Sequence, residues 1–78
     1  MSYNGHPSYN YWNVALWIGN DEGLYRLALD CIREYTPRRK AAEAFLDAVR
    51  TAEHSIPTTP DGAPYTVASI LHGMRGLA

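Results

Sequence analysis

Between residues 24 and 35 the apolar residues Leu24, Leu27, Ala28, Cys31, Ile32 and Tyr35 recur at i, i+3, i+4, i+7, i+8 and i+11. That spacing sets all six on one face of a helix and on no single face of a strand. Arg26, Asp30, Arg33 and Glu34 fall elsewhere and are expected in solvent. A helix with one apolar face has to bury it, so the rest of the chain is read for what can cover this stripe.

Thr36-Pro37 follows at once and marks a boundary. Thr can cap a helix, and Pro at the first helical position gives up only an N–H that had no partner. A third helix is expected over 37–53, with Ala42, Phe45, Leu46, Val49 and Ala52 as its stripe and Ile56 just beyond. The link between the second and third helices is very short, so they should pack as a hairpin. Residues 55–64 hold three prolines and a glycine and read as a loop. A last helix over 66–75 carries Val67, Ile70, Leu71 and Met74 on one side, weakened by Gly73 by roughly 1 kcal/mol relative to Ala. Leu27, Ile32, Phe45, Leu46 and Val49 are the expected centre of the core.

Residues 1–7 contain Gly5 and Pro7 and read as an arm. Ser8, with Asn10 as a rival, can cap a first helix over 9–18. Tyr11, Trp12, Val14, Trp17 and Ile18 would also suit a strand. Alternation fails across the consecutive apolar residues 14–18, and Trp12, Ala15 and Leu16 fit helical spacing. Gly19-Asn20 should close this helix, with Asn20 capping the second over 21–35 and Asp21 and Glu22 in its first turn, near the positive end of the dipole. The expected fold is therefore all-α, a small domain of three to four helices with an N-terminal arm, and α+β is the alternative if 9–18 is a strand.

Size and composition narrow the class. A chain of 78 residues makes one domain, and one this small buries only roughly 60% of the surface its unfolded chain exposes. Apolar residues form 46% of it, too many for a disordered chain. Seven basic and eight acidic residues, net −1, exclude both a strongly basic nucleic-acid binder and an acidic DNA mimic. One cysteine cannot form an internal disulfide, which fits a cytoplasmic setting. No apolar run approaches the ~20 residues that span a bilayer, so no membrane is expected. The N-terminus lacks the basic start and apolar run of a secretion signal.

The chemical inventory is sparse. His6, His54 and His72 lie far apart, and a lone Cys without paired spacing gives no metal centre. Cys31 sits inside the stripe and reads as a small core residue rather than a nucleophile. Neither a G-x-x-x-x-G-K nor a G-x-G-x-x-G loop is present. The chain is thus expected not to be an enzyme and to use no cofactor. Two features remain. Arg38, Arg39 and Lys40 open the third helix, where cations face the positive end of the dipole at about 0.3–1 kcal/mol each when exposed. Arg33 should lie close by in the hairpin, making a local basic patch. All three cations of the turn are expected off the apolar stripe, with Arg39 relieved by Glu43. The second feature is the aromatic N-terminus, Tyr3, Tyr9, Tyr11, Trp12 and Trp17. Aromatics enrich interfaces and also fill thin cores. Five residues turn a helix by about 500°, so Trp12 and Trp17 should point to different faces. The tryptophans are expected in the core, and Tyr3, Tyr9 and Tyr11 are candidates for partner contact.

The run Ser8-Tyr9-Asn10-Tyr11-Trp12-Asn13-Val14-Ala15-Leu16-Trp17-Ile18-Gly19-Asn20-Asp21-Glu22-Gly23-Leu24-Tyr25 resembles a motif of small proteins of phages and mobile elements, of the form N-Y-x-T-W-N-V-x-L-W-I-x-N-D-E-x-x-Y. It covers about a quarter of the chain, and departs from the pattern at Ser8 and Tyr11. The resemblance implies a mobile-element origin. Small proteins of such elements often disarm host defences, and some anti-CRISPR inhibitors are similar in size and in lacking a catalytic site. The expected function is then a binding inhibitor of a bacterial CRISPR–Cas effector, acting on one of its protein subunits through Tyr3, Tyr9, Tyr11, Arg33, Arg38, Arg39 and Lys40. Two alternatives stay open. One is a nucleic-acid-binding accessory protein using Arg33, Arg38, Arg39 and Lys40. The other is a phage structural or assembly protein that homodimerises through spare aromatic surface.

Overall fold

The computed structural model describes residues 8–51, 57–75 and 77. The arm over 1–7, the last residues of the expected third helix and the start of the expected loop lie outside these. Among the described residues the chain forms α1 (Tyr9–Asn20), α2 (Glu22–Glu34), α3 (Arg38–Thr51) and α4 (Val67–Met74), with no strand beyond a single antiparallel bridge between Thr58 and Pro64. The all-α expectation holds, and the strand alternative for 9–18 falls.

Local chemistry explains most of the boundaries. The Ser8 hydroxyl accepts from the Tyr11 N–H at 3.3 Å and caps α1, so Asn10 plays no such part. Gly19 and Asn20 do not close α1 but belong to it. Asp21 does both jobs instead. Its N–H donates to the Trp17 carbonyl at 2.9 Å, ending α1, and its carboxylate accepts from the Leu24 N–H at 3.0 Å, starting α2. A carboxylate beats an amide there because it also meets the helix dipole. Pro37 sits one place outside α3 rather than at its first position. Its carbonyl accepts from the N–H groups of Lys40 and Ala41 at 2.9 and 3.4 Å. Thr66 and Ser69 form a reciprocal capping box at the start of α4.

The helices close a ring in which each packs on two neighbours: α2 on α1 and α3, α4 on α3 and α1. The expected α2–α3 hairpin is one side of that ring. The core centre is not where the stripe of α2 placed it. Val14, Ile18, Ala28, Ala41, Ala42, Phe45, Ile70 and Met74 are fully buried. Of the five residues expected at the centre only Phe45 is there; Leu27, Ile32, Leu46 and Val49 are half-buried and border it. Tyr35, the last residue of the stripe, lies beyond the end of α2 and is 46% exposed. The cause is α4, which covers α1 and α3 and draws the centre towards them. Gly73 permits this, because a Cβ there would stand 3.1 Å from Ile18 Cδ1 and 3.3 Å from Ala15 Cα. The helix-weakening glycine lets α4 pack closely on Ala15 and Ile18 of α1.

Candidate functional site

Helix α1 has two polar flanks, and they differ in what they hold. One faces the turn over 57–65. In that turn the Thr59 N–H donates to the Ala63 carbonyl at 2.8 Å, the Gly62 N–H to the Thr59 carbonyl at 2.8 Å, and the Tyr65 N–H to the Pro57 carbonyl at 3.0 Å. Pro60-Asp61-Gly62 is thus a three-residue hairpin loop, and Gly62 takes φ +91°, the left-handed conformation such a loop requires. The loop presents Asp61 to α1. Its Oδ2 accepts from Asn13 Nδ2 at 2.9 Å and from Trp17 Nε1 at 3.0 Å. The Thr59 hydroxyl donates to Asn13 Oδ1 and accepts from the Ala63 N–H at 3.1 Å. Asn13 and Thr59 are both buried, and among the described residues no buried side-chain N or O lacks a partner. The donors on Asn13, then Trp17, hold the Asp61 carboxyl below its ordinary range. This flank latches the turn to α1.

The other flank faces α4 and the start of α3. The Tyr11 and His72 rings lie 5.2 Å apart, tilted by 47°. With Arg39, Ala68, Leu71 and Arg75 they line an open hollow of about 280 Å³. Ala68, Leu71, His72 and Arg75 stand at i, i+3, i+4 and i+7, so one stripe of α4 and its C-cap supplies four of the six. Arg39 makes an ion pair with Glu43 at 3.8 Å, as its spacing suggested, and the pair is exposed. Arg75 makes no ion pair among the described residues.

The other sequence-derived candidates separate. Tyr3 lies outside the described residues. Tyr9 is 38% exposed, its ring 5.8 Å from that of Trp12. Both tryptophans, expected in the core, are half-buried: Trp17 turns its indole N–H to Asp61, and Trp12 lies towards the exposed Tyr9 and Leu16. Arg33 pairs with Asp30 on the exposed side of α2 and does not line the hollow. Arg38 is not a solvated cation. It precedes Ala41, Ala42 and Phe45 by three, four and seven residues and so lies on the buried face, against the expectation that all three cations lie off the stripe. Its guanidinium donates to the Met74 and Leu77 carbonyls at 2.7 and 3.1 Å, satisfying the end of α4. Lys40 is exposed. His72 and Arg75 were missed as contact residues. The signal is their spacing with Ala68 and Leu71, which the apolar stripe of α4 alone does not bring out.

Cys31 is buried, and burial, then the charges of Asp30 and Glu34, push its thiol up, so it stays protonated at neutral pH. Among the described residues no group of His, Cys, Asp and Glu could hold a metal ion; His6 and His54 lie outside them. No described helix is long and apolar enough to cross a membrane. Neither a curated protein nor a solved structure matches the chain. A family of unknown function, DUF7249, matches residues 1–74, and the chain belongs to that family.

Proposed function

We propose that this protein acts by binding rather than by catalysis, and that it inhibits a bacterial CRISPR–Cas effector by occupying one of its protein subunits. The observation that carries the binding reading is the hollow between α1, α3 and α4. It joins Tyr11 from the aromatic N-terminus with Arg39 from the basic turn, two regions 28 residues apart in sequence (39 − 11). Two guanidinium groups, an imidazole and a phenol stand around one open depression, an arrangement suited to contact with a partner. The partner class comes from the mobile-element-like run over 8–25, and it puts the action in the cytoplasm of a bacterial host.

A second reading, a nucleic-acid accessory protein, is favoured by clustering. Four of the seven basic residues, Arg38, Arg39, Lys40 and Arg75, lie where the start of α3 meets the end of α4. Phage plating on a host with active CRISPR immunity separates the two. The inhibitor reading expects expression of the chain to restore plating and an effector subunit to co-purify with it. If neither happens against any effector type and DNA binding with a steep salt dependence is found instead, the accessory reading replaces it.

A further inference from the structure

We propose that the hollow lined by Tyr11, Arg39, Ala68, Leu71, His72 and Arg75 receives an acidic protein segment that carries an apolar side chain beside its carboxylates. The inference rests on the reading that the partner is a protein, and it names the chemistry that partner must present.

Three features select this occupant. The rim is cationic, with Arg39 from α3 and Arg75 at the end of α4, and guanidinium groups grip carboxylates with two parallel hydrogen bonds. Ala68, Leu71 and the Tyr11 ring give the lining an apolar part as well, which a ligand that is polar throughout would leave unfilled. The volume, about 280 Å³, lies just under the roughly 300–1,000 Å³ that holds drug-sized ligands, so a side chain and its neighbours fit it better than a cofactor. A nucleic acid would draw its affinity from many phosphates. Here the chain is net −1, Arg33 is paired to Asp30, and Arg38 is spent on the Met74 and Leu77 carbonyls, which leaves few cations for a phosphate track.

Arg39 is already placed for exchange. Its pair with Glu43, long at 3.8 Å and exposed, is the kind that contributes little and can be traded for an incoming carboxylate. Glu43 therefore competes with the ligand, and removing its charge should tighten binding.

The test is a titration of the full, ¹⁵N-labelled chain with the capped peptide Glu-Leu-Glu-Glu-Leu-Glu, followed by amide shifts. Parallel arms use the same peptide with Gln for Leu, an oligothymidylate and inorganic phosphate. Saturable shifts are expected at Tyr11, Arg39, Leu71, His72 and Arg75, weaker binding of the Gln peptide, and no saturation by oligothymidylate or phosphate at the same concentrations. Arg39→Gln with Arg75→Gln should weaken the peptide by about tenfold or more, since two charge-assisted bonds are lost. Glu43→Gln should tighten it roughly two- to fivefold. The spectrum of each variant reports whether it is folded. Shifts that map elsewhere, a double variant of full affinity, or tighter binding of oligothymidylate than of peptide would each overturn the inference. These outcomes are independent of phage plating: intact peptide binding without plating rescue would count against the defence-inhibitor reading alone.

Discussion

The two flanks of α1 use similar residue types to opposite ends. On the 57–65 side Asn13 and Trp17 have their polar atoms taken by Asp61 and Thr59, inside or at the edge of the core. On the α4 side Tyr11 opens onto Arg39, His72 and Arg75 in a depression that solvent reaches. The difference lies in satisfaction. A buried polar group without a partner costs the full loss of its hydration, so the first flank is closed by its own chain. The second keeps charged groups at the surface, where their pairs are weak and exchangeable. The mobile-element-like run over 8–25 straddles both flanks. Its Asn13, Trp17, Val14, Ile18 and Asp21 are explained by the latch, the core and the cap, and Tyr11, at one of its two departures from the pattern, is the residue that reaches the hollow.

Stability and binding should therefore separate by flank. The largest effect belongs to the core. Phe45 is fully buried, with the Tyr65 ring 6.0 Å away. Phe45→Ala should cost about 3–5 kcal/mol, enough to leave a domain of this size largely unfolded in a urea titration. A small shift in its midpoint would remove Phe45 from the centre and the comparison with it. Next comes the latch. Thr59→Val keeps the shape but strips Asn13 Oδ1 of its donor and the Ala63 N–H of its acceptor, at about 1–3 kcal/mol.

Asp61 sharpens the comparison through pH. Its two donors favour the ionised form, so its carboxyl titrates lower folded than unfolded. The stabilisation it brings is present above the unfolded value, about 3.9, and is lost as pH falls through the lower folded one. Melting temperature and Trp fluorescence of the wild type should fall off over that acid range. Asp61→Asn, less stable at neutral pH, should lack that portion of the acid response. An identical acid profile in the two proteins would mean that Asp61 does not hold Trp17.

How far the sequence reached follows the range of the interactions. Helix existence and the Arg39–Glu43 pair were legible because both are set within one or two turns of chain. The latch was not, since Asn13 and Asp61 are 48 residues apart and each alone reads as an ordinary surface polar residue. The core centre was missed for the same reason. The stripes of α2 and α3 are visible one at a time, but which side of α3 lies deepest depends on where α4 returns. Arg38 was legible too: its spacing from Ala42 and Phe45 sets it on the buried face. Of the candidate surface, Tyr11 and Arg39 were legible by residue type, and their meeting with His72 and Arg75 was not.

The smallest effect expected on stability comes from the hollow, and it gives the most direct test. Side-by-side urea unfolding of the wild type, Thr59→Val and the double variant Arg39→Gln with Arg75→Gln compares the two flanks in one measurement. Surface arginines with weak or no ion pairs should be replaceable at a cost of about 0.5 kcal/mol or less, while Thr59→Val loses about 1–3 kcal/mol. If the double variant unfolds as early as Thr59→Val or earlier, Arg39 and Arg75 hold the fold together, and the division of α1 into a structural flank and a binding flank is wrong.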